Sequence, residues 1–179
     1  MGLREGEAWL GLPAAIVALL SRVLKLHDLL ADVFRIREDF DVLEILVPLA
    51  GGVDIPVDVE RLSNMRKRRD EIMLQVFYKY ASSLKPEIDG QLVRTALDKW
   101  TWFWILLEST AIAFLAFVVL IFVHASAAAS LLGLGIVAAM LLFRQVRPWC
   151  RTIAHAEVKA ILALPDAPAA IKDNLYKLT

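Results

Sequence analysis

One carboxylate stands alone in the most apolar part of the chain. From Trp100 to Phe143 the ionisable side chains are Glu108 and His124, with no lysine, arginine or aspartate. An acidic side chain at the centre of a membrane span costs about 2.5–3.5 kcal/mol on insertion scales, so it needs something polar to face and marks a functional candidate by default. At 100° per residue Glu108 shares a helical stripe with Arg94, Leu97, Thr101, Trp104, Ile112, Leu115, Val119 and Phe122. Polar groups sit at one end of that stripe and large apolar groups at the other. Copies assembled with the stripe inward would place a ring of carboxylates favouring cations next to an apolar constriction at Ile112, Leu115 and Val119 that gates by dewetting. The competing reading has Glu108 protonated, or hydrogen-bonded to Ser109, Thr110 or a neighbouring helix, and serving helix association alone.

Other residue clusters promise less chemistry. Arg66, Lys67, Arg68 and Arg69 form a basic run suited to lipid headgroups, a polyanion or an acidic partner. Glu60, Asp70 and Glu71 offset it locally, the pattern of a solvated helix face. His27, His124 and His155 lie far apart with no H-E-x-x-H spacing, so no metal site is expected. The lone Cys150 cannot close an internal disulfide or build a thiolate cage, which suits a reducing compartment. Gly51-Gly52 lacks the Lys-Ser/Thr ending of a phosphate loop. No cofactor and no enzyme activity are expected.

The elements that carry these residues follow from periodicity. A helical pattern from about Leu10 to Leu46 lays Leu19, Leu20, Val23, Leu24, Leu26, Leu30, Val33 and Phe34 against Arg22, Lys25, Asp28, Asp32 and Arg35. A break is expected around Arg35, Arg37, Glu38 and Asp39, then an apolar piece from Phe40 stopped by Pro48 and the glycine pair. Asp58 is a reasonable N-cap for an amphipathic helix from Val59 to Leu84, ended by Lys85-Pro86. A further helix starts between Pro86 and Gly90 and runs into the apolar stretch. The apolar segment Ala8–Leu20 has near the length of a signal core, but Pro13 interrupts it and no small-x-small site follows. Gly6 stands where a myristoylation motif wants Ser or Thr.

Trp100–Val123 supplies about 24 residues and Ala125–Phe143 about 19, each enough at 1.5 Å per residue to cross roughly 30 Å of hydrocarbon. The composition agrees, with 58% hydrophobic residues and a mean hydropathy of +0.57. Zero formal net charge gives no basic surplus for a nucleic-acid partner. In the second run Ala125, Ala129 and Gly133 recur at spacing four, a row on which helix backbones approach closely. Arg94 and Lys99 precede the first run, Arg144, Arg147 and Arg151 follow the second, and the connecting turn has no cation, so both termini are expected on the cytoplasmic side. Trp100, Trp102, Trp104 and Trp149 fit an aromatic belt on that face. Beyond the spans, Arg144 to Leu164 reads as a helix with room for a kink at Pro148, stopped by Pro165 and Pro168, and the tail from Ile171 to Thr179 reads as a short amphipathic helix or an ordered end.

A charged helix entering a first span, a very short turn, a second span, and a helix reading Trp149-Cys150-Arg151-Thr152-Ile153-Ala154-His155-Ala156-Glu157-Val158-Lys159 together resemble the two-transmembrane SLATT effectors of bacterial conflict and antiphage systems, over residues 90–163. The resemblance implies a homo-oligomer that permeabilises the bacterial inner membrane when triggered. It also implies a separate cytosolic sensor protein, because no nucleotide-sensing domain is recognisable here. The expected architecture is an all-α membrane protein. An N-terminal cytoplasmic helical domain (1–85) leads into an entry helix and two-helix transmembrane hairpin (86–143), followed by a C-terminal cytoplasmic helical tail (144–179). The expected function is an oligomeric pore or channel in contact with membrane lipid. The alternative is a non-conducting membrane adaptor that recruits a cytosolic partner through Leu19–Phe34 or the Arg66 run.

Overall fold

The computed structural model describes residues 26–122, 124 and 126–179. The apolar segment Ala8–Leu20, the residues Arg22, Val23, Leu24 and Lys25, and Ala125 of the small-residue row lie outside the described residues.

Among the described residues every regular element is helical. They are α1 (Leu26–Val33), α2 (Ile36–Phe40), a π-helical segment (Asp41–Leu46), α3 (Val47–Gly52), α4 (Val59–Lys67), α5 (Arg69–Val76), α6 (Gly90–Phe122), α7 (Ser126–Leu162) and α8 (Ala167–Leu178). α6 and α7 are both long and apolar enough to span a membrane. They pack along each other more extensively than any other two elements. The turn between them is tight: His124 takes a left-handed φ of 55°, and the Ser126 N–H donates to its carbonyl at 3.0 Å. On the hairpin interface Phe103 meets Phe143 at 4.9 Å between ring centroids, and Gly133 lies so close to Phe117 that a Cβ there would stand 3.2 Å from the ring.

The remaining helices form a head at the base of the hairpin. Leu46, Leu49, Met65, Ile72, Met73, Ile171 and Leu175 are fully buried together with Cys150 and Ile161 of α7. Each such side chain contributes about 1.5–3 kcal/mol through burial. Because the second apolar run and the helix after it are one continuous α7, the head core and the hairpin share a single rod. Pro148 sits inside that rod. Its missing N–H takes the usual four-residue helix bond away from the Arg144 carbonyl at the edge of the apolar run.

Three local expectations are corrected. Pro48 does not end the second apolar piece but stands in the first turn of α3. The Val47 N–H donates to the Val42 carbonyl five residues back, and where the ladder returns to four-residue steps a residue without an N–H is tolerated. The helix from Val59 breaks at Arg68 (φ −109°, ψ 21°) and stops at Val76 rather than running to Leu84. Past that point burial of Phe77, Tyr80 and Ala81 outweighs helix continuation, and the Tyr80 carbonyl accepts instead from the Glu87 and Ile88 N–H groups. The Asp58 cap and the uninterrupted entry helix are present: Asp58 Oδ1 accepts from the Arg61 N–H at 2.7 Å, and α6 runs from Gly90 through the apolar stretch. The break before Phe40 falls at Arg35, which adopts a left-handed φ of 49°.

Candidate functional site at the base of the hairpin

Glu108 finds its polar partner in the head. His27, near the start of α1, places Nδ1 2.8 Å from Glu108 Oε1. The His27 ring also lies 3.9 Å from the ring of Trp104, one turn before Glu108 on α6. α1 therefore crosses the stripe at its polar end. Above it the stripe is uncovered: Leu115, Val119 and Phe122 are 61%, 59% and 78% exposed. Arg94 and Thr101 are exposed below, and Ile112 is half-buried. The buried positions of α6 are Val93, Ala96 and Phe103, none of them on the stripe.

Beside this contact lies a cavity of about 290 Å³ whose lining includes His27, Asp41, Arg69, Tyr78, Trp104 and Glu157. The π segment aims Asp41 into it, one extra residue per turn having rotated the helix face at that point. Asp41 Oδ2 accepts from Arg69 at 3.0 Å, and Arg69 also engages Asp70. Burial raises the Asp41 carboxyl to about 6, outweighing the opposing pull of Arg69. Glu157 is 4% exposed and makes no hydrogen bond or ion pair with any described residue. Burial alone raises it to about 7. Tyr78 is pushed up to about 12 by burial first and the Asp41 charge second. Burial thus holds both carboxyls of the cavity above their ordinary range.

The other singled-out residues are placed as follows. Arg66 reaches Asp39 at 3.5 Å, Arg68 pairs with Glu71 at 2.9 Å and donates to the Leu178 carbonyl, and Arg69 is taken by Asp41. Lys67 has no such partner among the described residues. Arg66 and Arg69 thus tie α4 and α5 to α2 and the π segment, and the end of α8 docks on Arg68. Ala129 and Gly133 face α6 within the same chain. Of the tryptophans, Trp102 and Trp149 remain outside (60% and 51% exposed), whereas Trp100 packs edge-on to Phe40 at 4.4 Å. Glu44, also on the π segment, accepts from Arg151 at 2.7 Å and lies 3.0 Å from His155 Nε2. Among the described residues no three His, Cys, Asp or Glu side chains come together to hold a metal ion.

His27, Asp41 and Glu157 escaped the reading of the sequence. Glu157 left one signal: Cys150, Ala154, Glu157 and Ile161 follow a helical spacing of four, three and four, so the acid sits on an apolar stripe. His27 and Asp41 left none, because their partners lie far away in the chain.

A family model described as the YmfE protein family matches residues 6–165. No curated protein and no solved structure matches the chain.

Proposed function

We propose that this chain, which belongs to the YmfE family, is a non-conducting membrane anchor that holds a helical assembly head on the cytoplasmic face. The carrying observation is the contact between His27 and Glu108. The one carboxylate in the apolar stretch is satisfied inside a single chain, so no ring of copies is needed to give it a polar environment. The cytoplasmic placement is supported by the arginines flanking both spans and the cation-free turn. With its His27 face tied down, α1 turns Leu29, Val33 and Phe34 outward, 52%, 66% and 59% exposed. Apolar side chains grouped this way suit a protein partner. Site-specific photocrosslinking from Val33 in membranes tests the anchor: a discrete adduct to another polypeptide, lost in Phe34→Asp, is expected. Ion flux through the protein in reconstituted vesicles would overturn it.

A second reading, the inner-membrane pore that the SLATT resemblance implies, draws on a different observation. The Leu115, Val119 and Phe122 line is left uncovered by α7 and is free to face other copies. Under that reading the head is a plug, and four or more chains assemble with the line inward. Flux that disappears in Leu115→Trp, together with a ring of at least four copies in mild detergent, would establish it, and a monomer or dimer would eliminate it.

A further inference from the structure

Where the apolar run of α7 ends, Arg144, Arg147 and Arg151 follow at spacings of three and four and so share one helix face, with Met140 a turn before them. This face and the π segment enclose a groove of about 490 Å³. Its apolar wall includes Phe40 and Leu43 from the head and Met140 and Phe143 from the run long enough to span a membrane. Its charged rim has two carboxylates, and both are engaged elsewhere: Glu44 by Arg151 and His155, Asp39 by Arg66. Arg144 and Arg147 make no hydrogen bond or ion pair with any described residue. Two guanidinium groups are thus left without a counter-charge at the depth where the hydrocarbon-facing surface begins.

We propose that this groove holds the phosphate of an anionic phospholipid. The forked N–H donors of Arg144 and Arg147 match phosphate oxygens, and the first acyl carbons lie along Met140, Phe143 and Leu43. Charge alone would suit free phosphate equally. The apolar wall continuous with the span favours the lipid, since Leu43 and Met140 are 42% and 58% exposed and an acyl chain covers them where free phosphate does not. Arg151 is a positioning residue here, because by occupying Glu44 it keeps that carboxylate away from the lipid phosphate. The site is independent of whether the hairpin conducts, and it differs from the basic run at Arg66–Arg69, where three of four cations are already paired.

Native mass spectrometry of the full chain, released from nanodiscs holding equal dioleoyl phosphatidylglycerol and dioleoyl phosphatidylcholine, tests the assignment. Preferential retention of phosphatidylglycerol is expected. A cation near a membrane surface is worth about fivefold in binding, so Arg144→Gln with Arg147→Gln should weaken retention about 25-fold. The paired Lys substitutions should keep most of the preference, and Leu43→Glu should abolish it with both arginines in place. Equal retention of the two lipids, or undiminished retention of phosphatidylglycerol in the double Gln variant, overturns the proposal. So does inorganic phosphate that displaces the lipid at millimolar concentration, which would make the groove a free-anion site. Circular dichroism matching the wild type keeps a negative result attributable to the groove.

Discussion

His27 and Glu108 are 81 positions apart in the chain and stand 2.8 Å from each other where the head meets the hairpin. Both are partly exposed, and the pair's value lies in tying α1 to α6 as much as in Coulomb attraction. His27→Ala and Glu108→Ala should each lower stability in mild detergent by about 1 kcal/mol. The double variant should cost less than the sum, by about 0.5 kcal/mol. Strict additivity in thermal unfolding would mean that the two groups do not act as a pair.

The buried acids set a pH dependence with a definite sign. Glu157, raised to about 7, and Asp41, raised to about 6, hold their protons more tightly folded than unfolded. Their contribution is fully present below the unfolded carboxyl range near pH 4.5 and is lost as pH rises through 6 to 7. The head should therefore be less stable at pH 8 than at pH 5. Glu157→Gln removes the ionisation and should gain up to about 3 kcal/mol over wild type at pH 8 while converging on it below about pH 4. A variant showing the same pH slope as wild type would place the effect elsewhere.

Two glycines of α7, two residues apart, should respond in opposite ways. A side chain at Gly133 runs into the Phe117 ring, whereas Gly135 has nothing within 4 Å of where a Cβ would stand. Gly133→Val should cost about 1–3 kcal/mol by prising the hairpin apart. Gly135→Ala should be neutral or gain about 0.5–1 kcal/mol from helix propensity. Similar melting temperatures for the two variants would argue against this hairpin register.

Glu44 clamps the π segment onto α7 through Arg151 and His155. Glu44→Ala should cost about 1 kcal/mol, a modest loss because Arg151 is 62% exposed. Hydrogen exchange at the amides of Asp41–Leu46 should rise more than at α8. An unchanged exchange rate there would show that the buried Val42, Ile45 and Leu46 hold the segment unaided.

Much of this arrangement is legible along the chain. Two apolar runs of spanning length separated by His124 define the hairpin, because each is apolar all round where an ordinary surface helix carries one apolar face. Asp58 announces a cap and Gly90 an entry helix through local chemistry, since both depend on neighbours within a turn. The small-residue row at Ala129 and Gly133 likewise announces close packing.

Tertiary structure decided the rest. That Glu108 is satisfied by His27, that Asp41 turns inward through a π segment, that Arg66 and Arg69 are taken up by Asp39 and Asp41, and that Arg68 reaches the Leu178 carbonyl all depend on contacts between remote segments. Periodicity reports which face of a helix is apolar and says nothing about which helix will lie against it. The sequence by itself determined a hairpin with one misplaced acid. Only the fold decided that the acid is answered from within the same chain, because His27 reaches it across 81 positions.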